Sequence, residues 1–301
     1  MTTVGTHTVS VGAGAVGTVL AVRLHRAGYR VTVAGRPGSP TGTRRLRLLV
    51  DDRDEQADVP TIPVDAPSPP ADAVVCVCVK AHATAAVAAD GRALLRSARL
   101  IVSAQNGAGN IEQLAAVSSA PLVLAPPGFG AAPDAEAIRL HGVSDTPCAA
   151  VPPAGETAAR LWADALTDAG LPATVQSDWR TVLWRKLIVN AAVNPLTALY
   201  NVHNGEVAER RELRTLAAAI VDEAAGIAAR EGAGLPSAAE LLETVTAVCR
   251  ATATNRSSML EDRLAGRPTE IDQITGYIVN RAHHHAVPAP VNEAILQRMR
   301  G

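Results

Sequence analysis

Val9-Ser10-Val11-Gly12-Ala13-Gly14-Ala15-Val16-Gly17 joins a short apolar run to Thr18–Ala27, a stretch of helical character that stops at Gly28. The three glycines have separate duties in a strand-turn-helix unit: a tight turn, close approach of backbone to a pyrophosphate, and close packing of helix on strand. A helix N-terminus then presents free N–H groups and the positive end of its dipole to phosphates. A glycine spacing of this kind is weak evidence alone. Here it follows a strand, opens a helix and leads into a second strand, Arg30–Ala34, on schedule. Gly12, Gly14, Ala15, Val16 and Gly17 are therefore expected to bind a dinucleotide.

The pattern continues outward. Short apolar runs at His7–Val11, Arg30–Ala34, Val74–Val79, Leu100–Ser103 and Pro121–Leu124 alternate with helix-length segments, which implies right-handed crossovers and a parallel sheet. The looser stretch Pro126–Pro153, rich in Pro, Gly and Ala, is expected to end the sheet with antiparallel strands. From Gly155 the pattern is almost wholly helical, as in Glu212–Glu231 and Ala238–Ala253. The expected fold is α/β, a Rossmann-type doubly wound parallel sheet (residues 1–176) followed by an all-helical second domain (residues 177–301). A length of 301 residues suits two domains.

Composition narrows the function. Charged residues make up 19% with a formal net charge of −1, so the chain lacks the basic excess that nucleic acid or an anionic membrane would require. A small-molecule partner is expected. Met1–Val9 has neither signal-peptide nor transit-peptide character, and no apolar run has the length of a membrane span, which predicts a cytoplasmic protein. Four cysteines make no disulfide framework. Cys76 and Cys78 read as small hydrophobes on a buried strand. His283, His284 and His285 read as surface or helix-end residues, and no metal is expected.

The second strand ends Val33-Ala34-Gly35-Arg36, with no carboxylate to bind the ribose hydroxyl of NAD. Arg36 can pair with a 2'-phosphate through its planar fork, favouring NADPH; the alternative is a solvated loop arginine. Lys80-Ala81-His82 and Gln105-Asn106-Gly107 follow later strands at the edge where parallel sheets bind ligands, although Asn-Gly also favours turns for backbone reasons alone.

In Trp184–Thr197, Lys186, Asn190 and Asn194 are four apart and form one stripe on a helix whose other residues are nearly all apolar. Such a helix is buried, so the stripe should face an internal polar cavity; the competing reading is a partly exposed amphipathic face. Pro195 predicts a helix break at Asn194. Further on, Thr269 suits an N-cap, with Glu270 and Asp272 in the first helical turn.

The glycine loop, Lys80-Ala81, Gln105-Asn106-Gly107, Lys186–Thr197, Asn204-Gly205, Ser257-Ser258-Met259 and Gly266–Asp272 together resemble the ordered motif set of the ketopantoate reductase family (2-dehydropantoate 2-reductase), nearly end to end. The resemblance implies NADPH-dependent reduction of 2-dehydropantoate to (R)-pantoate, on the route to pantothenate and coenzyme A. It implies Lys186 as proton donor, and Asn190, Asn194, Asn204, Ser258 and Glu270 at substrate-contacting positions; Glu270 is expected to hold either Lys186 or the substrate hydroxyl in place. Asn106 matches a residue that touches both ligands, and Lys80 one near the cofactor. Pro126-Pro127-Gly128-Phe129 departs from the small, Thr-rich stretch expected there. Two other readings stand: a paralogue reducing another 2-oxo acid, and an NADPH-binding regulator without turnover. The apolar helices of the second half are able to support a homodimer.

Overall fold

The computed structural model describes residues 6–67 and 70–301. The expectation about a targeting signal falls partly on residues 1–5, outside the described ones. Contacts divide the chain into two compact units, residues 1–105 with 110–179, and residues 106–109 with 180–301.

The first unit is built on β1 (His7–Val11), β2 (Arg30–Gly35), β3 (Gly42–Val50), β4 (Arg53–Pro63), β5 (Val74–Val77), β6 (Leu100–Ser103), β7 (Leu122–Leu124), β8 (Phe129–Asp134), β9 (Ala137–Val143), β10 (Thr146–Val151) and β11 (Ala173–Gln176). They form one sheet in the order β11-β10-β7-β6-β5-β1-β2-β4-β3-β9-β8. The run from β7 through β2 to β4 is parallel, in register such as Val9↔Thr32 and Val9↔Val75. Residues of β5, β6 and β7 are buried throughout, which explains sequences that are apolar but for Ser103 at the end of β6, because a strand covered on both faces has no polar side.

Helices α1 (Ala15–Arg26), α2 (Thr84–Asp90), α3 (Arg92–Arg96), α4 (Asn110–Ala115) and α5 (Glu156–Asp168) complete it. The sheet curls around α1, which packs on β2, β3, β4 and β8. Val19, Leu20, Val22 and Leu24 of α1 meet Leu46, Leu48, Val59, Trp162 and Leu166 in one core.

The alternation of strand and helix is interrupted where none was expected. Between β2 and β5 the chain makes the hairpin β3–β4, paired Leu46↔Ala57 and Leu48↔Glu55. Its alternation is real: Leu46, Leu48 and Val50 point inward, while Arg45 and Arg47 pair outside with Asp58 and Asp54 at 2.8 and 2.7 Å. Glu55 is carried inward with the apolar residues and lies 3.4 Å from Arg23 and 3.6 Å from Arg26 in the last turn of α1. The antiparallel ending appears as expected, β10 against β7 and β8 against β9, although β8 and β9 extend the opposite edge, where β9 runs parallel to β3. β11 interrupts the helical pattern that begins at Gly155.

The second unit is helical: α6 (Trp179–Tyr200), α7 (Asn204–Glu209), α8 (Arg211–Arg230), α9 (Ala238–Ala251), α10 (Ser258–Leu264), α11 (Thr275–His284) and α12 (Pro290–Arg300). Two local expectations are corrected. Pro195 lies inside α6 and does not break it. A proline costs about 3 kcal/mol in a helix interior, but every residue from Ala191 to Ala198 is buried, and that packing holds the helix together across the missing bond. Thr269 is not an N-cap: α11 begins at Thr275, and Glu270 sits in a preceding turn whose carbonyl accepts from the N–H groups of Gln273 and Ile274 at 3.1 and 3.0 Å.

The Glu223 carboxylate on α8 caps α12, accepting from the backbone N–H groups of Val291 and Asn292, both at 2.9 Å. Cys76 and Cys78 are free thiols, 3.5 Å apart and buried, and burial pushes the Cys76 thiol well above its usual range. His283 pairs with Glu293, and His285 with Glu231. Among the described residues no group of three or more His, Cys, Asp or Glu side chains is placed to hold a metal ion, and no helix is long and apolar enough to cross a membrane.

Candidate functional site

In the first unit the glycine loop is built as its spacing demands. Gly12 has φ +98° and donates its N–H to Ala34 O at 3.0 Å, tying the turn to β2. A Cβ on Gly17 would lie 2.0 Å from Gly12 O, so only glycine permits this approach of helix to loop. Gly14 differs: it is exposed, its φ is −76°, and a Cβ there would meet nothing within 4 Å. It is the N-cap of α1, no side chain caps the helix, and no acid occupies the first turn. An uncapped helix start beneath open space leaves N–H donors at Ala15 and Val16 for an anion, so this cradle fits the pyrophosphate of a dinucleotide.

Arg36 is exposed, just beyond β2, and opens a turn closed by Ser39 N–H on Arg36 O (3.0 Å) with Gly38 at φ +70°. Asp65, beyond the neighbouring β4, accepts the Gly38 N–H at 3.3 Å. Lys80 is partly buried beyond β5 and caps a single 3-10 turn, Ala81–Ala83. Between the Lys80 loop and the loop after β6 lies a chain of buried polar groups centred on Gln105. Sequence reading placed Gln105 only in a loop; its partners come from separate elements, so no local pattern discloses them.

In the second unit the stripe on α6 forms as its spacing predicts. Asn194 is buried, while Lys186 and Asn190 are partly buried. Loss of water around the Lys186 ammonium lowers its pKa from the ordinary lysine value, because burial penalises the charged form. Trp184, on the side of α6 away from that stripe, packs against Tyr277 of α11 with ring centroids 6.0 Å apart. The short segment 106–109 belongs with these helices: Asn190 Nδ2 donates to Asn106 Oδ1 at 3.4 Å, and Ala108 N–H donates to Gln273 O at 2.8 Å. Gly107 and Gly109, at φ +75° and +87°, supply the bends this needs.

The remaining candidates have distinct settings. Glu270 is buried, 5% exposed, in the turn before α11. Ser258 is the exposed first residue of α10, while its neighbour Ser257 is buried and accepts from Leu260 N–H at 3.1 Å as the N-cap. Thr197 on α6 meets Ser257, Oγ to Oγ, at 2.6 Å and donates to Asn194 O at 2.9 Å or shares its proton with Ser257. That pair joins the helix of Asn194 to the start of the helix of Ser258, a link the sequence did not disclose. Asn204 gives its Nδ2 to Thr252 Oγ1 at 3.0 Å, leaving Oδ1 buried without a hydrogen-bond partner. Replacing Ser257 by Ala is expected to cost about 1–2 kcal/mol through loss of the cap and of the Thr197 partner, read as a lower denaturation midpoint at unchanged slope.

Pro127 and Phe129, part of the segment that departs from expectation, face an apolar hollow with Leu20, Trp162 and Leu166. Their bulk serves the core of the first unit.

Residues 8–138 match the family described as Ketopantoate reductase PanE/ApbA, and residues 178–301 match its C-terminal counterpart. The 2-dehydropantoate 2-reductase of Vibrio cholerae is 32% identical over 97% of this chain and 96% of its own length. That of Archaeoglobus fulgidus is 33% identical over 96% and 95%. The crystal structure of a PanE/ApbA family ketopantoate reductase from Ralstonia eutropha superposes with a TM-score of 0.84 at 28% identity, covering 97% of each chain. D-mandelate dehydrogenase in complex with NADH and anilino(oxo)acetate shares the fold, with a TM-score of 0.88 at 21% identity over 97% of each chain. The chain therefore belongs to the ketopantoate reductase family, oxidoreductases that act on a ketone or CH–OH group and use NADPH.

Proposed function

We propose that this chain reduces the ketone of 2-dehydropantoate to (R)-pantoate with NADPH, in the cytoplasm, using Lys186 as proton donor. The observation that carries the reading is the desolvated Lys186 ammonium in line with two asparagines on a largely buried helix. When bound, NADPH supplies hydride for the carbonyl carbon. The developing alkoxide then needs a positioned cation and a proton. A lysine with a depressed pKa serves both needs better than a solvated one, since it releases its proton more readily near neutral pH.

Residues 1–176 act as the NADP-binding half and residues 177–301 as the substrate half. In the first, Gly12, Gly14, Ala15, Val16 and Gly17 hold the pyrophosphate, Arg36 the 2'-phosphate, and Lys80 a further part of the cofactor. In the second, Asn190, Asn194, Asn204 and Ser258 bind the carboxylate and hydroxyl of the substrate without adding charge. Glu270 orients Lys186 or the substrate hydroxyl, and Asn106 contacts both ligands.

Assay of the purified protein with NADPH against a panel of 2-oxo acids tests the substrate. A clear preference in kcat/KM for 2-dehydropantoate is expected; equal or better use of another 2-oxo acid would assign the chain to a paralogous activity, and no turnover would make it a binder. Arg36→Ala tests the cofactor reading. Loss of a charge-assisted phosphate contact should lower the NADPH-to-NADH preference by about tenfold or more, through KM for NADPH. An unchanged ratio would leave Arg36 a solvated loop residue.

A further inference from the structure

The Gln105 side chain, 3% exposed, has every polar hydrogen committed. Its Nε2 donates to Val79 O at 2.9 Å and to Thr84 Oγ1 at 2.8 Å, and its Oε1 accepts from Ser103 Oγ at 3.1 Å. Thr84, fully buried, passes its own proton to Asn110 Oδ1 at 2.9 Å. The pattern runs one way only. With Oε1 and Nε2 exchanged, Oε1 would oppose the Val79 carbonyl, acceptor against acceptor, and the Ser103 hydroxyl would lose its acceptor. Buried groups of this kind are costly when unpaired, so the amide is locked in this orientation.

The anchored residues are the roots of two loops. Val79 precedes Lys80, and Thr84 opens α2 beyond it; Ser103 ends β6, Gln105 precedes Asn106, and Asn110 opens α4. The strands beneath are joined by main-chain bonds such as Ala104 N–H to Val77 O at 3.0 Å, which set the ends of β5 and β6 side by side but do not reach the loops above. Gly107 and Gly109 make the second loop intrinsically permissive. A rigid point at its base is what permits Asn106 to hold a reproducible position.

We propose that Gln105 is a positioning residue which, with Thr84, ties the root of the Lys80 loop to the two roots of the Asn106 loop, so that each loop leaves the first unit from a fixed point. The proposal rests on the reading that Lys80 and Asn106 contact ligands. Gln105 itself touches no substrate in this account. It acts through the peptide bonds on either side of the two roots.

The test compares Gln105→Met, Thr84→Val and Thr84→Ser with the unaltered full chain by hydrogen–deuterium exchange over residues 78–84 and 104–110, and by steady-state kinetics with NADPH and 2-dehydropantoate. For Gln105→Met and Thr84→Val, exchange should accelerate in both segments together, and KM for both ligands should rise about tenfold with kcat changed by less than about threefold. Thr84→Ser, which keeps the hydroxyl, should stay within about twofold of the unaltered protein. Acceleration confined to the segment that carries the substitution, or a lowered melting temperature with both KM values unchanged, overturns the proposal. Should Gln105→Met fail to fold, Thr84→Val, which exchanges a hydroxyl for a methyl, decides the matter. If the unaltered protein turns over no 2-oxo acid with NADPH, the proposed function fails, and the exchange data still judge the coupling.

Discussion

Lys186→Ala is expected to reduce turnover with NADPH by about three orders of magnitude, the scale of a lost general acid, while NADPH affinity stays within about threefold. The separation follows from placement. Lys186 stands on α6, whereas the glycine loop, Arg36 and Lys80 belong to the first unit. Its partly buried ammonium is neither a surface charge nor a core hydrophobe, and water withdrawn from it lowers its pKa. On the proposed mechanism, removing it takes away both the cation that stabilises the alkoxide and the proton that quenches it. Parallel losses in turnover and NADPH affinity, seen by steady-state kinetics and equilibrium titration, would remove Lys186 from the catalytic role.

Gly17→Ala and Gly14→Ala should part company. At Gly17 a methyl would lie 2.0 Å from Gly12 O, and Gly12 cannot yield readily because its N–H is bonded to Ala34 O. That overpacking is expected to destabilise the protein by roughly 3 kcal/mol, toward the upper end for such changes, and to abolish NADPH binding. At Gly14 the same methyl meets nothing and the backbone suits any residue, so the melting temperature should hold within a few degrees. On the proposed cofactor placement the methyl would nevertheless stand where the pyrophosphate comes close, so NADPH affinity should fall by about tenfold or more. Thermal melts and NADPH titrations on both variants check this; a Gly14→Ala protein with unaltered affinity would move the phosphate elsewhere.

The parts of the fold that could be read from sequence are those in which spacing and burial coincide. β1, α1 and β2 follow from three glycines and two apolar runs, and the fully buried β5 and β6 from short, nearly all-apolar stretches. The hairpin β3–β4 escaped because its outer face is crowded with Arg45, Arg47, Asp54 and Asp58, which hide the alternation of Leu46, Leu48 and Val50. Pro195 was read for its local cost, whereas the buried surroundings of α6 decide its effect. The helix start expected at Thr269 lies at Thr275, because Glu270–Ile274 form a turn of their own first.

The candidate site divides along the same physical line. A stripe four residues apart on one helix is a local property, so Lys186, Asn190 and Asn194 could be aligned before any fold was known. The contact of Asn106 with Asn190, the Thr197–Ser257 pair and the bond of Gln105 to Thr84 join residues from 21 to 84 positions apart, and they exist only once the helices and strands have packed. Family resemblance supplied roles for Ser258 and Asn204 that no periodicity could. Their settings differ in kind, an exposed helix start for Ser258 and a buried acceptor without a hydrogen-bond partner on Asn204.

The pH dependence of kcat in the direction of ketone reduction, measured for the unaltered protein and for Lys186→Ala, addresses the desolvated ammonium most directly. A general acid works only while protonated, so kcat should hold at low pH and decline as pH rises through a pKa displaced below that of an ordinary lysine, and the decline should vanish in Lys186→Ala. A decline that sits at the unperturbed lysine position, or one that persists without Lys186, would contradict the account.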